Sequence, residues 1–206
     1  MLGPGQTLIE MSTVGPEAVR SVAARLPDGV TVVDAPVRGS VSEATEGRLE
    51  VFVGASDQDF DRVHPILESL GTVGHTGGFG SGAATKLVVN SALGAAITAL
   101  GEALALGESL GLDRERLLEV LAGTPIGPAA QSKRESILSG RYPPRFKLSL
   151  AAKDMRLAAQ TADHTGRDLR VARAVQAWFD EATERGAGDL DYSAVVATIL
   201  GEKPGA

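Results

Sequence analysis

The chain has 206 residues, of which 43% are apolar and 22% are charged, and its formal net charge is −6. This composition is typical of a folded globular protein and excludes a mainly disordered chain. The acidic balance and the lack of a Lys/Arg cluster argue against a nucleic-acid-binding surface, which needs basic residues against the phosphates. We therefore expect one or two folded domains and no nucleic acid partner.

The sequence gives little support for a metal site, a cysteine-based site or a membrane span. The sequence has no cysteine, which excludes disulfides and cysteine-based metal sites and suits a reducing compartment. The histidines are isolated and lack metal-binding spacing, so we predict no metal. The longest apolar stretch, 87–101, is too short and too polar to cross a bilayer, and the first residues lack the form of a signal peptide. We expect a cytoplasmic protein with no membrane partner.

Short β-branched runs alternate with amphipathic segments in the first part of the chain, a pattern typical of a partly parallel sheet with helices. The predicted strands are 7–11, 30–35, 49–54 and 72–73, and the predicted helices are 18–26 and 57–70. The second strand is predicted to stop at Pro36.

The architecture changes after a glycine-rich segment at 77–82. An Ala/Leu-rich stretch without proline follows from about 83 to 110, and every later segment has helical periodicity. The predicted later helices are 114–121 with Asp113 as N-cap, 129–138, 148–165, 171–185 and 193–200. The predicted fold class is therefore α/β, with a sheet domain at 1–82 and an all-α domain at 83–206 that begins with the long helix.

Lys86 and Asn90 are four residues apart near the start of the long predicted helix, so their side chains leave one face of it. A partly desolvated lysine can act as a general acid or base, and an asparagine amide can direct a substrate oxygen. The alternative is a solvated helix lysine and a helix asparagine, since most lysines are exposed.

The glycines just before this helix have two interpretations. Gly80-Ser81-Gly82 would expose backbone N–H groups to a carboxylate or phosphate at the helix start. The alternative is a flexible hinge between two lobes.

Polar side chains follow the first two predicted strands, where open α/β sheets bind ligands. Ser12 and Thr13 offer hydroxyls to a carboxylate, or else they cap the next helix. Arg38, followed by Gly39 and Ser40, could hold a carboxylate or phosphate in a bidentate manner, or else it is an exposed loop arginine. Farther along, Lys153-Asp154 would on its own be an exposed charge pair.

Five motifs in order resemble the β-hydroxyacid dehydrogenase family, which includes 3-hydroxyisobutyrate dehydrogenases. They run from residue 10 to about residue 158: E-M-S-T-V-G-P, D-A-P-V-R-G-S, A-T-E-G-R-L, G-x-G-x-x-x-K-x-x-x-N and K-D-M-x-L-A. The resemblance implies a partial Rossmann-like sheet lobe, a long interdomain helix and an all-α substrate and dimerisation domain. It also implies a homodimer or a higher homo-oligomer.

The same resemblance implies an NAD(P)-dependent oxidoreductase that interconverts a small β-hydroxy acid and its aldehyde or keto acid. By it, Lys86 transfers the proton and Asn90 orients the substrate. Further residues are implied to contact ligands: Ser12, Arg38, Gly39 and Ser40 the substrate carboxylate, and Thr13 and Lys153 the cofactor, NAD or NADP. Asp154 is implied to orient Lys153.

Two departures from the family pattern leave alternatives open. The family often has Ser-Gly-Gly where this chain has Arg38-Gly39-Ser40, which favours a larger or differently placed substrate anion. The family's opening strand, G-x-G-x-x-G turn and helix are not found, a difference of roughly 60 to 90 residues if two βα units are missing. One alternative is a truncated, non-catalytic oligomerisation or regulatory relative. Another is an imine reductase-like enzyme.

Overall fold

A computed structural model describes residues 2–205 as an α/β chain of two compact units. Unit 1 ends at Val89 and unit 2 begins at Asn90, inside one long helix. The predicted division, between 82 and 83, assigned the whole helix to the second domain. Each unit is described separately below.

The described part of unit 1 contains a five-stranded sheet. The strands are β1 Thr7–Glu10, β2 Thr31–Asp34, β3 Val37–Arg38, β4 Leu49–Gly54 and β5 Gly71–Gly77. β1 pairs with β2 and β4 with β5 in parallel, whereas β2 and β3 run antiparallel to β4. The prediction of a partly parallel sheet is confirmed.

β2 and β3 are two parts of one extended segment along β4. Asp34 pairs with Gly54 and Val37 with Val51, so three steps along the segment match three steps back along β4. β2 ends at Asp34, before Pro36 as predicted, but the extended segment continues, because the Pro36 carbonyl accepts from the Phe52 N–H at 2.9 Å. Proline removes a donor but keeps its acceptor, so it interrupts the ladder without ending it.

In the described part of unit 1, three α-helices connect the strands. They are α1 Pro16–Ala23, α2 Val41–Thr45 and α3 Asp57–Leu67. The predicted helix 57–70 ends as a 3₁₀ turn at 68–70, and α2 was not predicted because five residues are too few for a periodic pattern. Alternate residues of β4, Val51 and Val53, are fully buried and belong to the same apolar cluster as Val63 and Leu67 of α3.

Helix α4 spans Ser81–Ser109, and α-helices dominate the rest of the chain. They are α5 Arg114–Leu121, α6 Gly127–Ser139, α7 Leu148–His164, α8 Arg170–Ala182 and α9 Val195–Ile199. Asp113 caps α5 as predicted, since its side chain accepts from the Arg116 N–H at 3.0 Å. α8 ends earlier than predicted, and a π-type turn with Gly186 at φ 90° follows it.

The core of unit 2 surrounds the second half of α4. Ile97, Leu100 and Leu104 are completely buried there, together with Phe179 of α8. The prediction that the apolar stretch is too short and too polar to cross a bilayer does not hold for the whole helix, because by length and hydropathy alone α4 could cross a membrane. The same is true of a helix at the centre of a helical domain. Its buried side in unit 2 is part of that core.

Candidate functional site

A buried aspartate binds the start of α4 in unit 1. Asp34, at the end of β2, is 0% exposed, and its two carboxylate oxygens accept from the backbone N–H groups of Gly80, at 2.6 Å, and Ala83, at 2.7 Å. Of the two interpretations of Gly80-Ser81-Gly82, an anion site is therefore wrong for the Gly80 N–H, because the chain's own carboxylate takes this donor. The charge also lies at the positive end of the helix, where it is stabilised.

Two glycines allow this close approach. A Cβ at Gly54 would lie 2.5 Å from Asp34 Oδ1 and 2.7 Å from the Gly82 nitrogen. A Cβ at Gly82 would lie 2.3 Å from the Phe52 carbonyl oxygen. Both obstacles are backbone or a buried carboxylate, so they cannot move aside as a flexible side chain can.

Ser12 and Thr13 follow β1, as predicted, and they do not cap α1. The N-cap of α1 is Gly15, which has no side chain to bond, so the capping alternative is wrong. Ser12 is exposed and its backbone N–H donates to the Glu10 carboxylate at 2.7 Å, while Thr13 is half-buried. The loop presents the Ser12 hydroxyl to solvent, as a ligand contact requires.

Arg38 is the last residue of β3, not a loop arginine, and Gly39 and Ser40 follow it. Two carboxylates of unit 1 hold this turn. Arg38, whose side chain is 61% exposed, forms an ion pair with Glu50, its cross-strand neighbour on β4. The Ser40 backbone N–H and hydroxyl both donate to Glu43, at 2.7 and 2.5 Å. These bonds from Ser40 hold the pKa of Glu43 at about 2, well below its usual value of 4.5.

Gly39 is required by the local geometry of this turn. Its φ is 138°, and a Cβ there would lie 2.5 Å from Leu49 Cδ2. Only glycine combines this backbone conformation with the close neighbour. The turn thus keeps Arg38 and Ser40 in fixed backbone positions, with both polar groups already paired within the chain.

Lys86 is a half-buried residue in the second turn of α4, on the part of the helix that belongs to unit 1. Ala83, the second residue bound by Asp34, lies three residues earlier and therefore one turn away on the same side. Residue 90 follows one turn later in α4, so the prediction that both residues lie on one face of a single helix is confirmed.

In unit 2, a second buried aspartate joins two of the predicted residues. Asn90 is 4% exposed, and its Nδ2 donates to Asp154 Oδ2 at 2.6 Å. Lys153 Nζ lies 2.7 Å from Asp154 Oδ1, and Asp154 itself is 2% exposed. The carboxylate therefore accepts a hydrogen bond from Asn90 with one oxygen and forms an ion pair with Lys153 through the other, which has no hydrogen-bond partner among the described residues. The contact with Lys153 agrees with the expected pair, and the contact with Asn90 was not predicted.

Three carboxylates at these places were missed by sequence reasoning. Asp34 and Glu50 act on residues that pair with them only through the sheet and the start of α4, so no local pattern could reveal them. Glu43 could have been found, because Ser40-x-x-Glu43 is the sequence signature of a capping box.

Two domain families match the chain with little overlap. The first, the NAD-binding domain of 6-phosphogluconate dehydrogenase, matches residues 1–80. The second, described as the NAD-binding domain of NADP-dependent 3-hydroxyisobutyrate dehydrogenase, matches residues 80–199. Their junction lies at Gly80, where Asp34 binds the start of α4.

Individual oxidoreductases also match most of this chain. Glyoxylate/succinic semialdehyde reductase 1 of Arabidopsis thaliana is 34% identical over 95% of this chain and 68% of the relative. 2-(Hydroxymethyl)glutarate dehydrogenase of Eubacterium barkeri is 34% identical over 93% of this chain and 65% of the relative. The chain thus spans about two thirds of the length of these relatives.

Among solved structures, the Mycobacterium tuberculosis 3-hydroxyisobutyrate dehydrogenase with L-serine matches with a TM-score of 0.80. It is 28% identical, and the match covers 96% of this chain and 71% of that one. The shared fold extends over both units.

Proposed function

This chain belongs to the β-hydroxyacid dehydrogenase family, and from that premise we propose that it carries out NAD(P)-dependent interconversion of a small β-hydroxy acid and its aldehyde or keto acid. The observation that carries the proposal is the bond from Asn90 to the buried Asp154, which also binds Lys153. A fully buried carboxylate costs free energy unless it is paired, and here both its partners are residues with a family role.

The donors of this chain fit the nicotinamide side of NAD or NADP. The Thr13 hydroxyl in unit 1 and the Lys153 ammonium in unit 2 are donors suited to ribose and carboxamide oxygens. The pyrophosphate would need backbone N–H groups at a helix start, and at α4 two of these bind Asp34, whose charge would repel it. We therefore assign the cofactor contacts to Thr13 and Lys153 and none to the start of α4.

In the proposed reaction, Lys86 moves the proton. A bound nicotinamide supplies or accepts the hydride. During oxidation the neutral Lys86 amine takes the substrate hydroxyl proton, and during reduction its ammonium returns a proton to the carbonyl oxygen. Lys86 is half-buried on α4, and partial desolvation of a lysine favours such exchange.

Asn90 is proposed to direct the same substrate oxygen or the adjacent carboxylate. Its amide has two N–H donors, and one is committed to Asp154 at 2.6 Å. That bond fixes the amide plane and so fixes the direction of the second donor. Because Asp154 is buried and paired, the orientation is set before any ligand binds.

The substrate carboxylate is assigned to the exposed Ser12 hydroxyl and to the Arg38-Gly39-Ser40 turn. Two relatives are named for succinic semialdehyde and 2-(hydroxymethyl)glutarate, which carry a carboxylate remote from the reacting carbon. Arg38 is the cation that would bind such a group, after exchanging Glu50 for the ligand. The Arg38 side chain is 61% exposed and can turn toward a ligand, but its release leaves the buried Oε2 atom of Glu50 without its partner.

The test begins with titration of the 206-residue chain with NADH and NADPH, followed by nicotinamide fluorescence. Saturable binding is expected, and turnover of small hydroxy acids and semialdehydes is then measured for the wild type, Lys86→Ala and Lys147→Ala. Lys147 is a matched control, since it is an exposed lysine paired with Asp189 in unit 2.

Lys86→Ala should lower kcat by roughly 10²- to 10⁴-fold, the usual contribution of a positioned acid or base, while Lys147→Ala should not. Equal rates in the two variants would contradict the role of Lys86. Absence of cofactor binding would contradict the proposed activity for this chain and favour a non-catalytic oligomerisation or regulatory role. Reduction of cyclic imines in place of carbonyl acids would favour the imine reductase alternative.

A further inference from the structure

We propose that Asp34 is a positioning residue for Lys86, acting through the first turn of α4. The proposal rests on the proposed function, because it concerns the residue to which proton transfer is assigned. Asp34 would set where the Lys86 ammonium lies, and it would do so without touching substrate or cofactor.

The geometry of the contact is the first argument. Both oxygens of Asp34 accept from backbone N–H groups, at Gly80 and at Ala83, which lie three residues apart across the start of α4. Two bonds to the main chain, at 2.6 and 2.7 Å, fix both the position and the direction of that turn. A helix transmits this setting to Lys86, because residue 86 is one turn beyond Ala83 in the same rigid hydrogen-bonded ladder.

The surroundings of Asp34 are the second argument. Gly54 and Gly82 each approach the carboxylate so closely that a Cβ at either position would meet it at 3.0 Å or less. An aspartate that merely capped a helix would need no such close packing, and exposed caps such as Asp113 manage without it. The packing leaves a single position for the carboxylate and hence for the helix start.

The experiment uses the full chain with its lysines reductively methylated with ¹³C, which keeps their charge. The sequence has five lysines, so each gives a resolvable signal, and Lys86→Arg identifies that of Lys86. The signal position and line width are compared in the wild type, Asp34→Asn and the control Asp113→Asn. Asp113 also accepts a backbone N–H at a helix start, but α5 carries no candidate site residue.

In Asp34→Asn the amide group places a donor against one of the two backbone donors, so the turn must move. The Lys86 signal should shift by more than its line width while the other four lysines stay in place. Amide exchange at Gly80 and Ala83 should quicken at least about tenfold, as expected for loss of a hydrogen bond to a charged group. In Asp113→Asn the Lys86 signal should not change.

An unchanged Lys86 signal in Asp34→Asn, with faster exchange at Gly80 and Ala83, would overturn the proposal and leave Asp34 a purely structural role. If Asp34→Asn does not fold, the Lys86 signal is compared between Gly82→Ala and the control Gly78→Ala. A Cβ at residue 82 would collide with the Phe52 carbonyl and displace the helix start, whereas nothing lies within 4 Å of a Cβ at residue 78. A Lys86 shift in Gly82→Ala alone supports the step through which Asp34 acts, from the helix start to Lys86, and no shift in either variant overturns the proposal.

Exchange of Gly80 and Ala83 in the wild type needs no variant. Rates as fast as those of exposed amides would show that the two bonds to Asp34 are not formed, which would also overturn the proposal. None of these readouts needs turnover. Retained activity in Lys86→Ala would refute the proposed function and would leave the signal shifts unaffected, so the two failures are distinguishable.

Discussion

Each unit anchors its part of α4 with a buried aspartate, but the two aspartates bind different things. Asp34 in unit 1 accepts from backbone N–H groups and therefore fixes the main chain at the helix start. Asp154 in unit 2 accepts from the Asn90 side chain and pairs with Lys153, so it fixes side-chain directions on a helix that is already formed. Loss of the first should disturb a backbone segment, and loss of the second should disturb individual side chains.

The glycines near Asp34 and Asp154 differ in what surrounds them: backbone and a buried carboxylate in unit 1, and side chains in unit 2. A Cβ at Gly54 in unit 1 would meet the Asp34 carboxylate and a backbone nitrogen. A Cβ at Gly94 in unit 2 would meet Val175 Cγ1 at 2.9 Å and Met155 Sδ at 3.0 Å, which are ends of side chains. Methionine adapts easily to such intrusions, whereas backbone and buried charge do not.

The largest effect on stability is expected when these glycines are replaced. Gly54→Ala should lower the free energy of unfolding by about 3 kcal/mol, because rigid groups must be displaced. Gly94→Ala should lower it by no more than about 1 kcal/mol, since better helix propensity offsets part of the strain. Urea unfolding of both variants measures the difference. Equal losses would break the comparison between a rigid and an adaptable anchor.

A smaller loss is expected for Asp154→Asn. It leaves Lys153 without its buried partner, and we expect roughly 1 to 3 kcal/mol less stability, with lower kcat as Asn90 loses its orientation. Asp180→Asn serves as the control, because Asp180 pairs with Arg156 at the surface of the same unit and should change stability by about 1 kcal/mol or less. If both variants lose the same stability, Asp154 is no more than another charge pair.

The next prediction concerns Arg38 in unit 1, which is proposed to bind the substrate carboxylate. Arg38→Ser should lower kcat/KM for a semialdehyde with a remote carboxylate by about tenfold relative to one without it. Glu50→Gln should change the ratio in the opposite direction, because it releases Arg38 from its cross-strand partner. The ratio of kcat/KM values for the two substrates is the measurement. An unchanged preference in both variants would refute the assignment of Arg38 to the substrate.

The smallest effect concerns pH and the same turn. The pKa of Glu43 is lowered from 4.5 to about 2 in the folded chain, so its ionised form contributes stability above pH 4.5 that is lost as pH falls toward about 2. Ser40→Ala removes the largest cause of this shift and should raise the pKa toward 4.5. Ser42→Ala, which removes the smallest, should raise it less. Carboxyl ¹³C titration measures both, and equal shifts would contradict the role of Ser40.

Prediction from sequence was most accurate where the controlling interactions are local. Helix α5 was predicted with both its bounds and its cap, since Asp113 and the apolar spacing lie within one short segment. β4 was likewise predicted at 49–54, because alternation of apolar residues is visible along the strand itself. β3 and α2 were missed, because two and five residues carry too little pattern to be distinguished from a loop.

In the candidate site, too, local features were predicted from the sequence and long-range contacts were not. Lys86 and Asn90 could be placed on one face of a helix from their spacing, and their family roles came from ordered motifs. The bonds of Asp34 to the start of α4 and of Asp154 to Asn90 could not be found in that way. Asp34 lies 46 and 49 residues from its two donors, and Asp154 lies 64 residues from Asn90.

The sequence by itself therefore determined most of the longer helices and strands and which residue types are available for chemistry. Periodicity and capping depend on neighbours within one or two turns, and these are written in the chain. Only the tertiary structure decided that the start of α4 binds an internal carboxylate in place of a ligand, and that Asn90 and Lys153 share one. The physical reason is that a buried charge must find its donors wherever folding brings them, and their distance along the chain is not constrained.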